Sequence, residues 1–318
     1  MKAINENLQI TNHDLPILKP NEVLVKVCAF AINRADILQR KGKYPPPAGA
    51  SPLMGLEVAG IVENPHHSTH WKVGDKVFGL VPSGGYAEYA AVDAELLMKI
   101  PERFSFEQAA AIPEVFLTAY LGLVQLGGLK FGETALIHGG AGGVGTAAIQ
   151  IAKQLNCRVI TTANSSKHDI CEQLGADLCL DYKQSSWREQ LQNQLGKTPV
   201  DVILDTIGAS YFSDNLEVLA MDGRMTMIAL IGGGDAKDTD LRKIIGKRLK
   251  IEGSTLRNRN LDFQRNLNQA MSNFAMPLFE TGKMRPVIDC IMNWTDIAKA
   301  HQRMENGEHI GKIVMKIE

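Results

Sequence analysis

The stretch 134–155, "TALIHGGAGGVGTAAIQIAKQL", limits the possible folds of this chain more than any other. Small and apolar residues predict a strand, glycines crowd the next turn, and a periodic apolar run predicts a helix. Gly140, Gly142 and Gly145 have the GxGxxG spacing. In such a junction the glycines allow a tight turn, a close approach to a pyrophosphate, and close packing of helix on strand. We therefore predict a dinucleotide site here, and a merely tight turn is the alternative.

Predicted strands and helices alternate from residue 134 onwards. The strands are expected at 134–138, 157–162, 177–180, 201–205, 224–230 and 249–252. The helices are expected at 143–155, 167–174, 185–194, 211–220 and 239–246. This βαβα order predicts a doubly wound parallel sheet with α/β architecture.

The first hundred residues have a different pattern. Short β-like pieces, beginning with the alternating run 22–30, are separated by Gly and Pro, which is typical of a barrel-like unit. A helical segment follows, and Ser105 with Gln108 fits a capping box at its start. Another helix is expected from residue 261, and the tail returns to strands at 286–293 and 310–318. We therefore predict an interrupted first domain that the tail rejoins.

Composition excludes several classes of protein. The formal net charge is −1, so neither nucleic acid nor an anionic membrane is expected as a partner. No run of 18 apolar residues is evident, and the polar start does not resemble a signal peptide. The five cysteines are scattered without a CxxC pair, which favours reduced thiols and a cytoplasmic location.

The end of the second α/β strand bears on the choice of nucleotide. An NAD site usually carries an acid there, to bind the ribose 2′-hydroxyl. Thr162, Ala163 and Asn164 occupy the relevant positions, and the first carboxylate is Asp169 in the next helix. Asn164, two serines and Lys167 suit a 2′-phosphate, which a carboxylate would repel. We therefore predict NADPH, and the alternative is an ordinary polar loop.

Metal ligands are not expected in this sequence. "HHSTH" at 66–70 resembles a metal motif, but no cysteine or carboxylate cluster accompanies it. His138 ends the first α/β strand, and we expect a buried, hydrogen-bonded histidine there rather than a general base. No GxSxG motif is present, so a serine nucleophile is not predicted.

Several segments together resemble a known family, the medium-chain dehydrogenase/reductase superfamily. Within it they resemble the zinc-independent quinone oxidoreductases, in the p53-inducible quinone oxidoreductase-like branch related to zeta-crystallin. The segments are "NRADILQRKGKYPPPAGASPLMGLEVAGIV", "WKVGDKVFGLVPSGGYAEYAAV", "AAAIPEVFLTAY", "LIHGGAGGVGTAAIQIAK" and "ENGEHIGKIVMKI". The resemblance implies a GroES-like β-barrel catalytic domain of residues 1–118 and 259–318, and a Rossmann domain of residues 119–258. Zinc-dependent relatives have a GHE motif where this chain has Gly55-Leu56-Glu57, which implies that the catalytic zinc is absent.

The resemblance also implies a set of site residues. Asn33 and Tyr44 match positions that line the nicotinamide and substrate pocket, and a rigid turn with an exposed ring is the alternative for Tyr44. The positions that match or flank cofactor contacts are Thr118, Gly140, Gly142, Gly143, Val144, Asn164, Lys167, Tyr182, Gly232, Gly233, Leu256 and Lys312.

The resulting hypothesis is an NADPH-dependent reductase that transfers hydride to a quinone or an electron-poor enone. Asn33 and Tyr44 could donate hydrogen bonds to a developing oxyanion, and water could supply the proton. The family resemblance implies a homodimer formed through the edge of the Rossmann sheet, with 223–233 as a plausible edge strand. The alternatives are a 2-enoyl thioester reductase and a low-turnover NADPH-binding protein with a structural or RNA-interacting role.

Overall fold

The computed structural model describes residues 1–184, 186–196, 199–237 and 239–318. The chain divides into two compact units. The first unit contains Met1–Leu117 and Arg257–Glu318, and the second contains Thr118–Leu256. The tail therefore belongs to the same compact unit as the first 117 residues.

Each of the two units combines strands with helices. In chain order, the strands are β1 (Lys2–Ile4), β2 (Ile10–Asn12), β3 (Glu22–Ala31), β4 (Glu57–Asn64), β5 (Lys76–Leu80), β6 (Tyr89–Asp93), β7 (Leu97–Lys99), β8 (Thr134–His138), β9 (Arg158–Ala163), β10 (Leu178–Asp181), β11 (Val200–Asp205), β12 (Leu219–Met227), β13 (Lys250–Gly253), β14 (Ile288–Asn293) and β15 (Lys312–Lys316). The helices are α1 (Arg34–Arg40), α2 (Phe106–Ala110), α3 (Pro113–Tyr120), α4 (Gly143–Gln154), α5 (His168–Gln173), α6 (Trp187–Leu195), α7 (Ala209–Val218), α8 (Arg242–Gly246), α9 (Leu261–Glu280) and α10 (Ile297–Glu305).

The first unit is built on a mostly antiparallel sheet. Its strand order is β14-β15-β3-β4-β5-β7, and β6 also pairs with β3. Alternation along β3 places Val23, Val25 and Val27 in the hydrophobic core, while Lys26 between them is exposed. The core also contains the stacked rings of Phe30 and Tyr86, whose centroids are 4.5 Å apart. Strand β15 pairs with β3, and this pairing brings the tail into the first unit.

The second unit contains a six-stranded sheet in the order β10-β9-β8-β11-β12-β13. Every pairing in it is parallel, which confirms the predicted doubly wound sheet. Its core is apolar along successive strands, with Leu136, Ile160, Ile203 and Met225 all buried. Continuous apolar strands are typical of parallel sheets, because helices cover both faces.

The prediction that residues 223–233 form an edge strand of this sheet is wrong. Strand β12 lies inside the sheet, because β11 pairs with it on one side and β13 on the other. The β12–β13 register runs from Arg224 opposite Lys250 to Met227 opposite Gly253. The edges of this sheet are therefore β10 and β13. The sequence of β12 does not reveal this, because strand order depends on which helices cross over the sheet.

The helical segment after Ser105 is interrupted. Helix α2 ends at Ala110 and α3 begins at Pro113, because proline lacks an N–H and is best accommodated in the first turn of a helix. A π-helical turn, 121–126, follows α3. The predicted capping box is confirmed: the Ser105 N–H donates to Gln108 Oε1 at 3.0 Å, and the Gln108 N–H donates to Ser105 Oγ at 3.3 Å.

Residues 106–126 bear on the expectation that the chain has no run of 18 apolar residues. Among the described residues, Phe106–Leu126 has the length and apolar composition of a membrane-crossing helix. However, 67% of its most apolar window is buried inside the protein. A helix in the core of a globular protein can have the same length and apolar composition. This segment is therefore weak evidence for a membrane span.

Candidate functional site

A buried ion pair joins three strand ends of the first unit. Asn33 follows β3 and precedes α1, Glu57 opens β4, and Lys312 opens β15. The Lys312 ammonium donates to Ile32 O at 2.9 Å, to Asn33 Oδ1 at 2.6 Å and to Glu57 Oε1 at 2.7 Å. Glu57 and Lys312 are 0% and 2% exposed, so this pair is fully desolvated. An ion pair buried in this way is tolerated because hydrogen bonds satisfy both charges.

The Glu57 carboxylate is the centre of this network. Besides Lys312, its Oε1 accepts the Asn33 side-chain N–H at 2.7 Å, and its Oε2 accepts the backbone N–H of Glu114 at 2.8 Å. An ammonium has three protons, and these contacts use all three of Lys312. The Lys312 ammonium is thus bound within this network, and its contact with the cofactor stays a prediction. Asn33 keeps one amide proton that this network does not use.

Tyr44 lies in the loop after α1, beside Arg257. The Arg257 guanidinium donates to Pro82 O at 2.7 Å, to Gln39 Oε1 at 2.7 Å and to Tyr44 O at 3.2 Å. Its Cζ lies 5.3 Å from the centroid of the Tyr44 ring, in a cation–π arrangement. Burial, and next the charge of Glu114, raise the pKa of Tyr44, so its hydroxyl stays protonated and can donate a hydrogen bond. Arg257 thus holds both the backbone and the ring of the predicted pocket residue.

Glu114 lies in the first turn of α3 and was not predicted as a site residue. Burial, and next the negative charge of Glu57, raise its pKa to about 8, although Lys312 and Arg257 act in the opposite direction. The carboxyl group is therefore mostly protonated at neutral pH. The sequence carries a signal for it, namely a single acid inside the otherwise apolar run "AAAIPEVFL". An acid in such a run is expected to have an unusual environment.

Three further titratable groups, Asp36 of α1, Tyr86 and His301, are buried in the first unit. Burial raises the pKa of Asp36 to about 7, although the Asn33 N–H donates to its carboxylate at 2.7 Å. Burial lowers the pKa of His301 to about 4, and its Nε2 lies 3.2 Å from the Tyr86 hydroxyl. Asp36, Tyr86 and His301 are all 0% exposed. These groups belong to the interior of the first unit.

The glycines of the second unit form a cradle at the start of α4. A Cβ on Gly140 would lie 2.8 Å from Thr161 Cβ, and a Cβ on Gly145 would lie 2.6 Å from Gly140 Cα. Both approaches are too close for any side chain, so these positions require glycine for packing. A Cβ on Gly142 would meet only Gly139 O, at 3.4 Å. Packing within the protein therefore does not require a glycine at position 142.

The cradle fits a pyrophosphate. Helix α4 runs from Gly143 to Gln154, and its first turn contains no acidic residue. The first N–H groups of a helix lack partners within the helix and carry partial positive charge. Gly142, Gly143 and Val144 are partly exposed at this end. Together these features suit the anionic diphosphate of a dinucleotide.

His138 is a structural residue, as predicted. It is 0% exposed, and its two ring nitrogens lie 3.1 Å from Thr162 Oγ1 and 2.8 Å from Asn215 Oδ1. Burial lowers its pKa to about 4, so the ring stays neutral. Its position behind the glycine cradle supports the strand–turn–helix junction.

The predicted 2′-phosphate residues lie in a short 3₁₀ turn after β9. Asn164 caps this turn, and its Oδ1 accepts the Ser166 N–H at 3.4 Å. Lys167 ends the turn and is partly buried. The end of β9 itself carries no acid, in agreement with the pattern from which NADPH was predicted.

An acid from the neighbouring strand lies close to this turn and was not predicted. Asp181 ends β10 opposite Ala163. Its carboxylate accepts the Lys183 N–H at 2.8 Å and hydrogen bonds from the N–H and hydroxyl of Ser165, and these bonds lower its pKa. The Ser165 hydroxyl therefore donates its hydrogen bond to Asp181. The sequence pattern concerns only the end of β9, whereas this carboxylate comes from the strand that pairs with it.

The remaining predicted residues have varied surroundings. Tyr182 follows β10 and is 46% exposed. Gly232 and Gly233 lie in the turn after β12, and Gly233 has a φ of +105°, which favours glycine. Thr118 is partly buried in α3, and Leu256 is buried at the end of the second unit.

The histidines of "HHSTH" do not form a metal site. His66, His67 and His70 are exposed, and the rings of His66 and His67 have centroids 3.9 Å apart. In the part of the chain that the structure describes, no group of three or more His, Cys, Asp or Glu side chains could hold a metal ion.

Comparison with known families identifies the fold and its branch. Residues 19–102 match the alcohol dehydrogenase GroES-like domain, and residues 143–275 match the zinc-binding dehydrogenase family. The quinone oxidoreductase of Sus scrofa is 33% identical over 295 residues, which cover 91% of this chain and 86% of that protein. The chain belongs to the quinone oxidoreductase branch of the medium-chain dehydrogenases/reductases. The predicted GroES-like plus Rossmann fold class is confirmed.

Solved structures agree with this family membership. A mycobacterial protein in complex with NADPH superposes with a TM-score of 0.87 and 27% identity, covering 99% of this chain and 100% of that one. The CurK enoyl reductase superposes with a TM-score of 0.85 and 26% identity, covering 100% of this chain and 99% of that one. These two superpositions agree with an oxidoreductase of this family.

Proposed function

We propose that this chain is an NADPH-dependent, zinc-independent reductase that transfers hydride to quinones and related electron-poor enones. The observation that carries the proposal is the glycine cradle at the start of α4, in a chain that is 33% identical to a quinone oxidoreductase. A cradle of this type binds the diphosphate of a dinucleotide. The family membership then gives the class of reaction.

The second unit would hold the cofactor. Gly140, Gly142, Gly143 and Val144 would surround the diphosphate, and Lys167 with Asn164 would bind the 2′-phosphate. NADPH, when bound, supplies the hydride. The absence of an acid at the end of β9 and the NADPH complex of the mycobacterial relative support NADPH over NADH. Thr118, Tyr182, Gly232, Gly233 and Leu256 remain predicted contacts of the cofactor.

The first unit would bind the acceptor. The Tyr44 hydroxyl is a protonated donor, and Asn33 has an amide proton outside the ion network. Donors of this kind stabilise the negative charge that develops on an acceptor oxygen. Arg257 restrains the Tyr44 ring, so this donor is held in place before the acceptor binds.

Zinc independence is supported by the environment of Glu57. Its carboxylate oxygens accept three N–H donors from the protein itself, including the Lys312 ammonium. A metal ion at this carboxylate would have to displace a buried cation. The charge of Lys312 thus already compensates the charge of Glu57.

The cofactor proposal is tested by fluorescence titration with NADPH and NADH. Gly142→Ala is expected to fold normally, since its Cβ has room, and to weaken both nucleotides by roughly tenfold or more by blocking the diphosphate. Lys167→Ala should weaken NADPH and leave NADH unchanged. The matched control is Lys130→Ala, an exposed lysine of the same unit, which should change neither affinity. Equal binding of the two nucleotides to the wild-type chain would contradict the NADPH proposal.

A 2-enoyl thioester reductase is the second candidate function. The similarity to the CurK enoyl reductase favours it. The ratio of kcat/KM for 1,2-naphthoquinone to that for crotonyl-CoA separates the two. A ratio well above one supports the quinone acceptor, and a ratio well below one supports the thioester. NADPH binding without turnover of either acceptor would instead support a low-turnover NADPH-binding protein.

We also propose a homodimer formed at the β13 edge of the six-stranded sheet. The stretch between β12 and β13 exposes Leu230, Ile231, Leu241 and Ile245, with Ile245 81% exposed. Such a group of apolar side chains is typical of an interface. Light scattering of the wild-type chain should give a dimer mass, and Ile245→Asp should give a monomer. A monomeric wild-type chain at micromolar concentration would contradict this proposal.

A further inference from the structure

The Glu114 carboxyl group belongs to the first unit, and the proposed function leaves it without a role. Its own backbone N–H is fixed on Glu57, which anchors the start of α3 to the buried ion network. Among the described residues, none makes a hydrogen bond or an ion pair with the Glu114 side chain. The side chain is only partly buried, so a ligand can reach it. The backbone of Glu114 is thus anchored at the ion network, while its carboxyl group is available to another molecule.

The charges around Glu114 come from several elements of the first unit. Glu57 from β4 and Asp36 from α1 are like charges, while Lys312 from β15 and Arg257 oppose them. Lys312 is paired with Glu57 and favours the charged form of Glu114, but burial and the like charges raise the pKa of Glu114 by more than Lys312 and Arg257 lower it. Asn33 is a close neighbour, because its side-chain N–H and the backbone N–H of Glu114 donate to the same Glu57 carboxylate, at 2.7 and 2.8 Å. This environment keeps the carboxyl group in its neutral, proton-carrying form at pH 7.

We propose that Glu114 is the acid that protonates the reduced acceptor. The inference rests on the proposed function and names the proton source, which the sequence left to water. An acceptor that has gained a hydride has gained two electrons and one proton, and it carries one negative charge on oxygen. The Glu114 O–H bond breaks, its proton forms the new O–H bond of the acceptor, and Glu114 becomes a carboxylate. A solvent proton then restores the acid. The sum is one hydride and one proton added to the acceptor.

The need for an acid depends on the basicity of the reduced acceptor. A hydroquinone anion is a stable product that water can protonate later, whereas the enolate formed from an enone is more basic and needs its proton during the reaction. Glu114 is therefore expected to matter more for an enone than for an ortho-quinone. General acids of this type contribute roughly 100-fold or more to a rate.

The test compares wild type, Glu114→Gln and Glu63→Gln with 1,2-naphthoquinone and with a simple enone. Glu63 is an exposed glutamate at the end of β4 and provides the matched control for the same chemical change. Glu114→Gln should lower kcat for the enone by roughly 100-fold, lower kcat for the quinone much less, and leave NADPH affinity unchanged. The wild-type rate with the enone should fall as pH rises through about 8. The rate of the Glu114→Gln variant should not show this fall.

Three outcomes separate this inference from the function on which it rests. Unchanged enone turnover and pH profile in Glu114→Gln, with an active wild type, overturn the inference alone. A wild-type chain that reduces neither acceptor overturns the proposed function and removes the reaction that Glu114 would serve. Infrared spectroscopy gives a readout independent of turnover. A protonated carboxyl band at pH 7 that disappears in Glu114→Gln supports the acid, and its absence from the wild type overturns it.

Discussion

At the scale of single residues, the ion pair of Glu57 and Lys312 is the most constrained contact of the first unit. Both side chains are almost completely buried, and each charge is balanced by the other. Removal of one partner leaves an uncompensated buried charge, which is far more costly than the loss of an exposed pair. The pair therefore fixes the ends of β3, β4 and β15 relative to one another.

Glu57→Gln is expected to lower the free energy of unfolding by about 3–5 kcal/mol, because the Lys312 ammonium loses its counter-charge. The new amide would also place a donor near the Glu114 N–H or the Lys312 ammonium. The measurement is urea unfolding at pH 7. Glu63→Gln should stay within about 0.5 kcal/mol of the wild type. A loss below about 1 kcal/mol in Glu57→Gln would show that the ion pair is not needed.

Tyr44→Phe tests whether the Tyr44 hydroxyl donates a hydrogen bond to the substrate. The ring and its contact with Arg257 are retained, so only the hydroxyl is removed. The expected result is a roughly 100-fold lower kcat with 1,2-naphthoquinone and an unchanged Kd for NADPH. Tyr89→Phe, the same change in β6, should keep wild-type kinetics. If turnover of Tyr44→Phe equals that of the wild type, Tyr44 has no part in the reaction.

At the scale of elements, the junction of β8 and α4 shows how far a sequence specifies local structure. The predicted strand 134–138 coincides with β8, and the predicted helix 143–155 differs from α4 by one residue at its end. Glycines mark such a junction because the packing there has no space for a Cβ. The Asp181 contact was missed for the opposite reason. It arises from the pairing of β10 with β9, and local sequence carries no information on that pairing.

Gly145→Ala should destabilise the second unit by about 1–3 kcal/mol, because the added Cβ would collide with the backbone of the preceding turn. The control is Gly246→Ala at the end of α8, where a Cβ meets nothing within 4 Å. That variant should be neutral, or more stable by up to about 1 kcal/mol, because alanine favours a helix. Urea midpoints measure both. Equal stability of the two variants would contradict the packing role of Gly145.

At the scale of the whole molecule, the sequence predicts the division of the chain better than the chemistry of its site. The tail was expected to rejoin the first domain, and the pairing of β15 with β3 shows why: the tail supplies Lys312 as the partner of Glu57. The role of this lysine could not be predicted, because its partners are about 255 and 279 positions away along the chain. The unusual state of Glu114 likewise depends on residues brought together only by folding.

The carboxyl groups with a raised pKa also set a pH dependence of stability. The pKa of Glu114 rises from 4.5 to about 8 on folding, so the folded chain binds more protons than the unfolded chain between these values. Its contribution to the free energy of unfolding is therefore complete below about pH 4.5 and is lost as pH rises through about 8. Asp36, raised from 3.8 to about 7, acts with the same sign. His138 and His301, lowered from 6.5 to about 4, act oppositely below pH 6.5.

The contribution of Glu114 is isolated by comparing wild type with Glu114→Gln in urea unfolding from pH 6.5 to 8.5. The free energy of unfolding of the wild type should fall more steeply with pH over this interval than that of the variant. Parallel curves would mean that Glu114 ionises in the folded chain as it does in the unfolded one.

Steady-state kinetics shows directly whether the chain reduces quinones with NADPH. Oxidation of NADPH and of NADH would be followed at saturating 1,2-naphthoquinone, with the reaction lacking enzyme subtracted. We expect quinone-dependent oxidation, with kcat/KM for NADPH well above that for NADH. Nucleotide oxidation no faster than the enzyme-free reaction, or a higher kcat/KM for NADH, would contradict it.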